Sequence, residues 1–389
     1  MKVAKRISKL GTESAFQVLV KAKALEAQGQ EIIHLEIGEP DFPTPEAVIE
    51  SAKQALDEGY THYCGSAGLN ELRAAISTEI SQTRGIPVDP DWVVITPGAK
   101  PIMFYLILAV VDDGDEVITP NPGFPIYESM INFVGGKPVP LPLIEEHDFR
   151  FKVDDLKQRI TPKTRLIIIN SPQNPTGGVL THSDLEAIAD IARDKEIWIL
   201  SDEIYCKILY EGEHHSISSF PGMLDQTVIL DGFSKTYAMT GWRLGYGVMH
   251  PDLQTHISTL VTNSVSCTAP FIQRAGLEAL ANAKAEVSQM VQEFRKRRDF
   301  VWKRLNSIPG IHCVCPPGAF YMFPNIRSFG MTSSEFADYL LDTAGVAVLS
   351  GTSFGTHGEG FIRISYANSM ENLAKALERI EEATQKISR

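Results

Sequence analysis

From about residue 92 to about residue 250, short apolar runs alternate with stretches whose apolar residues recur at helical spacing. The runs predict strands over Trp92 to Thr96, Glu116 to Thr119, Pro138 to Leu141, Arg165 to Asn170, Ile197 to Ser201, Thr227 to Asp231 and Leu244 to Met249. Between them lie helical stretches such as His182 to Lys195, in which Leu185, Ile188, Ala189 and Ala192 share one face. This alternation predicts an α/β domain: a mainly parallel seven-stranded sheet sandwiched by helices. After residue 280 the texture changes. Val287, Met290, Val291, Phe294, Val301, Leu305 and Ile308 mark one stripe of a long helix, with Arg295 to Arg298 expected on its solvated side. Short strands are expected at Phe320 to Phe323, Val346 to Leu349 and Phe361 to Tyr366, and Ser369 is placed to cap a last helix. The N-terminal helix and the Pro-rich Gly38 to Pro45 segment are expected to cross back onto this part. The chain therefore reads as a large domain over 46–285 and a smaller α+β domain built from 1–45 and 286–389.

Charge narrows the function. With 36 Lys and Arg against 48 Asp and Glu, the net charge is -12, so neither nucleic acid nor an anionic membrane is expected as a partner. An anionic ligand has to be held by a local cluster of donors. The apolar run Met103 to Val111 falls far short of the roughly 18 residues of a membrane span. The basic start at Lys2, Lys5, Arg6 and Lys9 leads only into the short Ala15 to Val20 stretch, so a cytoplasmic location is expected. Of the five cysteines, Cys64, Cys206 and Cys267 are scattered, and Cys313 and Cys315 stand too close for a usual metal pair. His214 and His215 lack the spacing that puts two imidazoles on one helix face. Reduced thiols and no metal are expected.

Three successive strands end in reactive polar groups: Leu166 to Ile169 leads to Asn170 and Asn174, Ile197 to Leu200 to Asp202 and Tyr205, and Val228 to Leu230 to Ser234 and Lys235. Open α/β sheets bind ligands at the carboxyl ends of their strands, so these groups can meet although they span more than sixty positions. Taken singly, Asn174 fits a turn, Asp202 a helix cap and Lys235 a surface lysine. Two features add to them. Arg243 follows Lys235 by eight residues, and Thr96-Pro97-Gly98-Ala99-Lys100-Pro101 joins a strand to an apolar helix start whose free amides attract an anion. A guanidinium beside a helix N-terminus describes a phosphate cup, and a lysine, a carboxylate and a phenol beside such a cup are what a pyridoxal phosphate site requires.

From about residue 30 onward the chain resembles the class I aminotransferases of the fold type I pyridoxal phosphate enzymes (aspartate aminotransferase-like subgroup). Six motifs carry the resemblance in order: Gly38 to Phe42; Tyr63 with Gly68-Leu69 and Glu71 to Arg73; Ser171 to Gly177; Ser201 to Tyr205; Ser234-Lys235 with Gly241-Trp242-Arg243; and Arg363 within Phe361 to Ser365. The resemblance implies that Lys235 bears the pyridoxal 5'-phosphate and moves a proton between the substrate Cα and the cofactor C4′. It implies that Asp202 keeps the pyridine nitrogen protonated. Asn174 and Tyr205 are implied as donors to the phenolic oxygen, and Phe124 as a stacking partner of the ring. Arg243, Ser234 and the Gly98, Ala99 and Lys100 segment would hold the phosphate, joined by Tyr63 from a second subunit of a homodimer. Arg363 would clamp the substrate α-carboxylate, with help from Gly38 and Asn174.

The implied reaction is transfer of an amino group between an L-amino acid, aspartate first, and a 2-oxo acid such as 2-oxoglutarate. Two departures stand out. Gly232 replaces a phosphate-binding serine found in many relatives, and Leu260 to Cys267, expected as a loop, lacks the arginine that the dicarboxylate-specific branch places ahead of the position of Pro270. Two other readings compete. A lyase would act on the same cofactor adduct, and Gly351-Thr352-Ser353-Phe354-Gly355 matches the G-x-S-x-G elbow of serine hydrolases, though His357 is the only later histidine and no aspartate follows.

Overall fold

The computed structural model describes residues 2–193 and 195–387. Its strands, in chain order, are β1 (Ile33–His34), β2 (Val93–Thr96), β3 (Glu116–Asn121), β4 (Lys137–Pro142), β5 (Thr164–Asn170), β6 (Trp198–Asp202), β7 (Thr227–Gly232), β8 (Gly245–Val248), β9 (Tyr321–Met322), β10 (Val346–Ala347), β11 (Leu349–Ser350) and β12 (Ile362–Ser365). Seven of them form one sheet in the order β2-β8-β7-β6-β5-β3-β4. All its pairings are parallel except those of β8, which runs antiparallel to both β2 and β7. The apolar run of β5 shows why the sheet is covered twice. Leu166 and Ile168 pack into one helical layer, Ile167 and Ile169 into the other, because successive side chains of a strand point to opposite faces. Each such buried aliphatic side chain is worth about 2 kcal/mol relative to an exposed one.

The remaining strands lie at the far end of the chain and recruit its beginning. β1 pairs in parallel with β10, and β12 lies between β11 and β9 in a small antiparallel sheet. The run expected as one strand over Val346 to Leu349 is split, because Ala347 faces β1 while Leu349 faces β12. The helix expected at His182 to Lys195 is present as His182–Arg193, and Asp194 lies outside the described residues. The stretch Leu260 to Cys267, expected as a loop, is helical through Ser264. The last helix, Met370–Ile387, is capped as expected: Asn372 N donates to Ser369 Oγ at 3.1 Å.

A further expectation holds for Arg295 and Lys296, which are exposed, and is overturned for the two residues after them. Arg297 and Arg298 lie buried, not on the solvated face of the helix Lys284–Ser307. Arg297 donates to Asp41 at 2.6 Å and sits over the rings of Phe42 and Phe294, while Arg298 donates to Glu211 at 2.9 Å over the ring of Tyr210. Charge pairing and stacking on aromatic faces replace the lost hydration. The same contacts tie the Pro-rich segment to this helix.

Candidate active site

A cavity of about 560 Å³ opens at the carboxyl ends of the parallel strands. The strand order reverses between β3 and β5, since the chain adds β4 on one side of β3 and then crosses to β5 on the other; such a reversal leaves a crevice for ligands. β3 leads to Phe124 and Tyr127, β5 ends at Asn170, β6 at Asp202, and β7 runs on to Ser234 and Lys235. Asn170 and Asp202 are register partners. The Asn170 amide donates to the Asp202 carbonyl at 3.1 Å and its Oδ1 accepts from Asn174 N at 2.9 Å, so the turn carrying Asn174 is fastened to the sheet edge.

Asp202 is buried at the floor. Tyr127 donates its hydroxyl to Asp202 Oδ2 at 2.5 Å, and Ile204 N donates to Oδ1 at 3.3 Å. Burial pushes the carboxyl up to about 6; these two bonds oppose the rise, while the charges of Asp231 and Glu203 add to it. Lys235 donates to the Gly38 carbonyl at 2.5 Å. Burial pushes its amine down to about 8, against the pull of Glu39.

The opposite wall carries Arg363 on β12. It donates through Nη1 to Asn174 Oδ1 at 3.0 Å and through Nη2 to the Glu36 carbonyl at 2.5 Å, and its guanidinium lies 4.5 Å from the ring centroid of Tyr321. Its Nε is buried without a hydrogen-bond partner. Tyr205 and Tyr321 share a hydrogen bond of 2.7 Å between their hydroxyls. Burial first, and then this neighbour, hold the Tyr205 phenol well above its ordinary value.

Beside Lys235, Gly98 has φ +87°, and a Cβ there would overlap the guanidinium of Arg243. Glycine is therefore demanded both by the left-handed backbone and by the close approach of the arginine. Arg243 donates to the Thr240 carbonyl at 2.7 Å and is otherwise exposed to the cavity. Lys100 pairs with Glu13 and lies 5.3 Å from the ring centroid of Phe124.

The sequence and the fold recur in known proteins. Residues 30–380 match the model of the family described as aminotransferase class I and II. The chain belongs to that family. It is 44% identical over 360 residues to the aromatic-amino-acid aminotransferase 2 of Thermococcus litoralis, covering 91% of this chain and 92% of that one. It is 44% identical over 356 residues to an aspartate aminotransferase of Pyrococcus abyssi, covering 90% and 91%. Among solved structures, the aspartate aminotransferase from Thermus thermophilus with maleate superposes with a TM-score of 0.95 at 36% identity, over 98% of this chain and all of that one (100%). The chain is therefore an aminotransferase, an enzyme.

The aminotransferase cavity gathers Gly38, Ala99, Lys100, Phe124, Asn174, Asp202, Tyr205, Ser234, Lys235, Arg243 and Arg363 along one lining. Gly98 lies behind Arg243. Tyr63 stands apart, 87% exposed. Ser353 is on the cavity wall, but in a short 3-10 turn, Gly351–Phe354, preceded by a strand of two residues, and the imidazole of His357 faces Asn121. That is not the strand-turn-helix of a nucleophile elbow. Sequence reasoning missed Tyr127, Tyr321 and Glu36. Tyr127 had a readable signal, standing three residues after Phe124 at the start of a helix, whereas Tyr321 and Glu36 reach the site only through long-range strand pairing. All five cysteines are free thiols. Among the described residues no group of three or more His, Cys, Asp or Glu is placed to hold a metal, and no helix is long and apolar enough to cross a membrane.

Proposed function

We propose that this aminotransferase uses pyridoxal phosphate and moves an amino group between an L-amino acid and a 2-oxo acid such as 2-oxoglutarate. The observation that carries this reading is the meeting, in one cavity, of the half-buried Lys235 amine and the buried Asp202 carboxylate. The residues present fit the cofactor. A buried acid suits a pyridine nitrogen, a glycine-lined helix start beside Arg243 and Ser234 suits a phosphate, and the unpartnered Arg363 Nε suits a carboxylate oxygen.

Bound pyridoxal phosphate supplies an aldehyde that condenses with amines and a ring that accepts electrons from the bonds at Cα. Lys235 Nζ would be the amine that holds the aldehyde and, once freed by a substrate amine, the base placed to move the proton between the substrate Cα and C4′. Its lowered pKa leaves part of it neutral near neutral pH, as a base requires. Asp202, its carboxylate fixed by Tyr127, would hold a proton on the pyridine nitrogen. Asn174, whose Oδ1 accepts from Arg363, would donate its amide to the phenolic oxygen together with the Tyr205 hydroxyl. Phe124 would cover one ring face, and Arg243, Ser234, the Gly98 and Ala99 amides and Lys100 would hold the phosphate. Arg363 orients the substrate through its α-carboxylate.

Aspartate is the first candidate donor. Lys100 is a further cation on the cavity wall, free to meet a distal carboxylate once Glu13 lets it go, and the apolar Phe16 and Phe354 nearby suit aromatic donors as well. The exposed Tyr63 is assigned to the neighbouring site of a homodimer. The large unit is assigned to 46–285 and the small one to 1–45 with 286–389, supported by the β1 to β10 pairing. A cytoplasmic location accords with the five unpaired thiols.

The test is the half-reaction. Incubated with single amino acids, the loaded enzyme is expected to convert its pyridoxal phosphate to pyridoxamine phosphate and to release the matching 2-oxo acid, aspartate giving oxaloacetate. Release of ammonia with the cofactor unchanged would place the protein among the lyases instead.

A further inference from the structure

Glu36 is a fully buried carboxylate that amino transfer does not use. Its Oε1 meets His34 Nδ1 at 2.7 Å, and its Oε2 is buried with no hydrogen-bond partner. The other ring nitrogen, Nε2, meets Glu26 Oε1 at 3.1 Å. A neutral imidazole has one N–H and would turn a lone pair toward one of these carboxylates; only the imidazolium donates to both. The backbone here is firmly placed. Leu35 N donates to Ala347 O at 2.9 Å and Ser365 N to Leu35 O at 2.8 Å, so residues 33–36 lie between β10 and β12. The carbonyl of the same Glu36 accepts from Arg363 Nη2 at 2.5 Å, and the charge of its carboxylate is felt at that guanidinium.

We propose that His34 is a positioning residue for substrate: as an imidazolium it neutralises Glu36 and so leaves the positive charge of Arg363 to the substrate carboxylate. The proposal rests on Arg363 being the carboxylate-binding side chain. When His34 loses its proton, the buried Glu36 carboxylate keeps an uncompensated charge that acts on Arg363 and opposes any second carboxylate there. The charged groups facing His34 are Glu36 on its own segment and Glu26 at the end of the helix Ser14–Glu26; Asn368 adds only an amide, donating to the His34 carbonyl at 3.0 Å. On the last helix Lys375 and Arg379 turn to Glu31, at 2.5 and 2.6 Å. Burial acts to lower the imidazole pKa, but the bonds and charges of Glu36 and Glu26 outweigh it and hold the ring above 6.5. Carboxylate affinity is therefore full below that raised pKa and falls as the pH rises through it.

The experiment follows succinate binding to the full-length protein by calorimetry from pH 5.5 to 9, alongside nitrogen NMR of the histidine rings. In the wild type, affinity is expected to weaken about five-fold with the same midpoint as the His34 ring. Glu26→Gln, at a partly exposed position, should move both midpoints to lower pH and leave the low-pH affinity unchanged. His34→Gln should show the weaker affinity throughout and lack that midpoint, keeping only the step that belongs to Lys235. The proposal is overturned if His34→Gln retains the wild-type profile, if Glu26→Gln shifts the ring titration without shifting binding, or if His34 titrates at or below 6.5. Arg363→Met serves as the reference: succinate binding as tight as in the wild type would overturn the reading of Arg363 itself, and with it the role of His34, whatever the ring titration shows.

Discussion

Tyr127 donates its hydroxyl to Asp202 Oδ2 at 2.5 Å from the first turn of the helix Ile126–Val134, with its ring edge-on to Phe124 at 5.6 Å between centroids. The entry to one short helix thus carries both the ring proposed to cover the cofactor and the phenol bonded to the acid. Since the Tyr127 bond favours the ionised carboxylate, its loss lets burial raise the Asp202 pKa above about 6. For Tyr127→Phe we expect the acid limb of pyridoxal phosphate affinity to move to higher pH, with about a ten-fold weaker affinity at pH 7. Titrating the stripped protein with cofactor at several pH values measures this. Superimposable wild-type and variant profiles would remove Tyr127 from the site.

Asp202 is costly to the protein without its cofactor. An acid whose folded pKa is raised from 3.8 to about 6 contributes full stability below the lower value and loses it as the pH rises through the upper one. The difference of about two units corresponds to about 3 kcal/mol at pH 8. Asp202→Asn, stripped of cofactor, should therefore be more stable than the wild type in urea at pH 8 by up to about that amount, and nearly equal to it at pH 4. The same variant, loaded, should lose most of its kcat. An unchanged kcat would reduce Asp202 to a residue that fastens the turn after β6.

The course of the chain explains what could be read beforehand. Leu166 to Ile169 and Ile197 to Leu200 declare buried strands by composition alone, and residues soon after a parallel strand face the ligand edge, so Asn174, Asp202 and Lys235 were legible from local sequence, with Arg243 as the guanidinium close behind Lys235. Arg297 and Arg298 misled because a helix wheel cannot show that Asp41, Phe42, Glu211 and Tyr210 come to meet them. Tyr321 and Glu36 were hidden for the same reason, since they reach Tyr205 and Arg363 only when β1, β9 and β12 assemble from both ends of the chain.

Arg363→Lys keeps a positive charge but loses the planar fork that now spans Asn174 Oδ1 and the Glu36 carbonyl while leaving Nε for a ligand. A lysine ammonium cannot donate in two fixed parallel directions. The expected result is a kcat/KM at least about a hundredfold lower for every amino donor, carried mainly by KM and independent of the donor side chain. Steady-state kinetics with aspartate, alanine and phenylalanine check it. A loss confined to one of the three would move Arg363 from the α-carboxylate to the side-chain pocket.

Donor choice should turn on Glu13 and Lys100. The two pair across the mouth of the cavity, the lysine side chain about half exposed (48%) and the carboxylate less so (21%). A distal carboxylate entering the cavity has to compete with Glu13 for the same ammonium, whereas an aromatic side chain has no such competitor and meets Phe16 and Phe354. Glu13→Gln removes the competitor without removing the bulk, and kcat/KM for aspartate should rise about three- to ten-fold while that for phenylalanine stays within a factor of two, the range of a partly exposed ion pair. Lys100→Met should act in the opposite sense, depressing aspartate more than phenylalanine. If both variants shift the two donors equally, Lys100 acts on the bound cofactor common to every donor, and the distal carboxylate is recognised elsewhere.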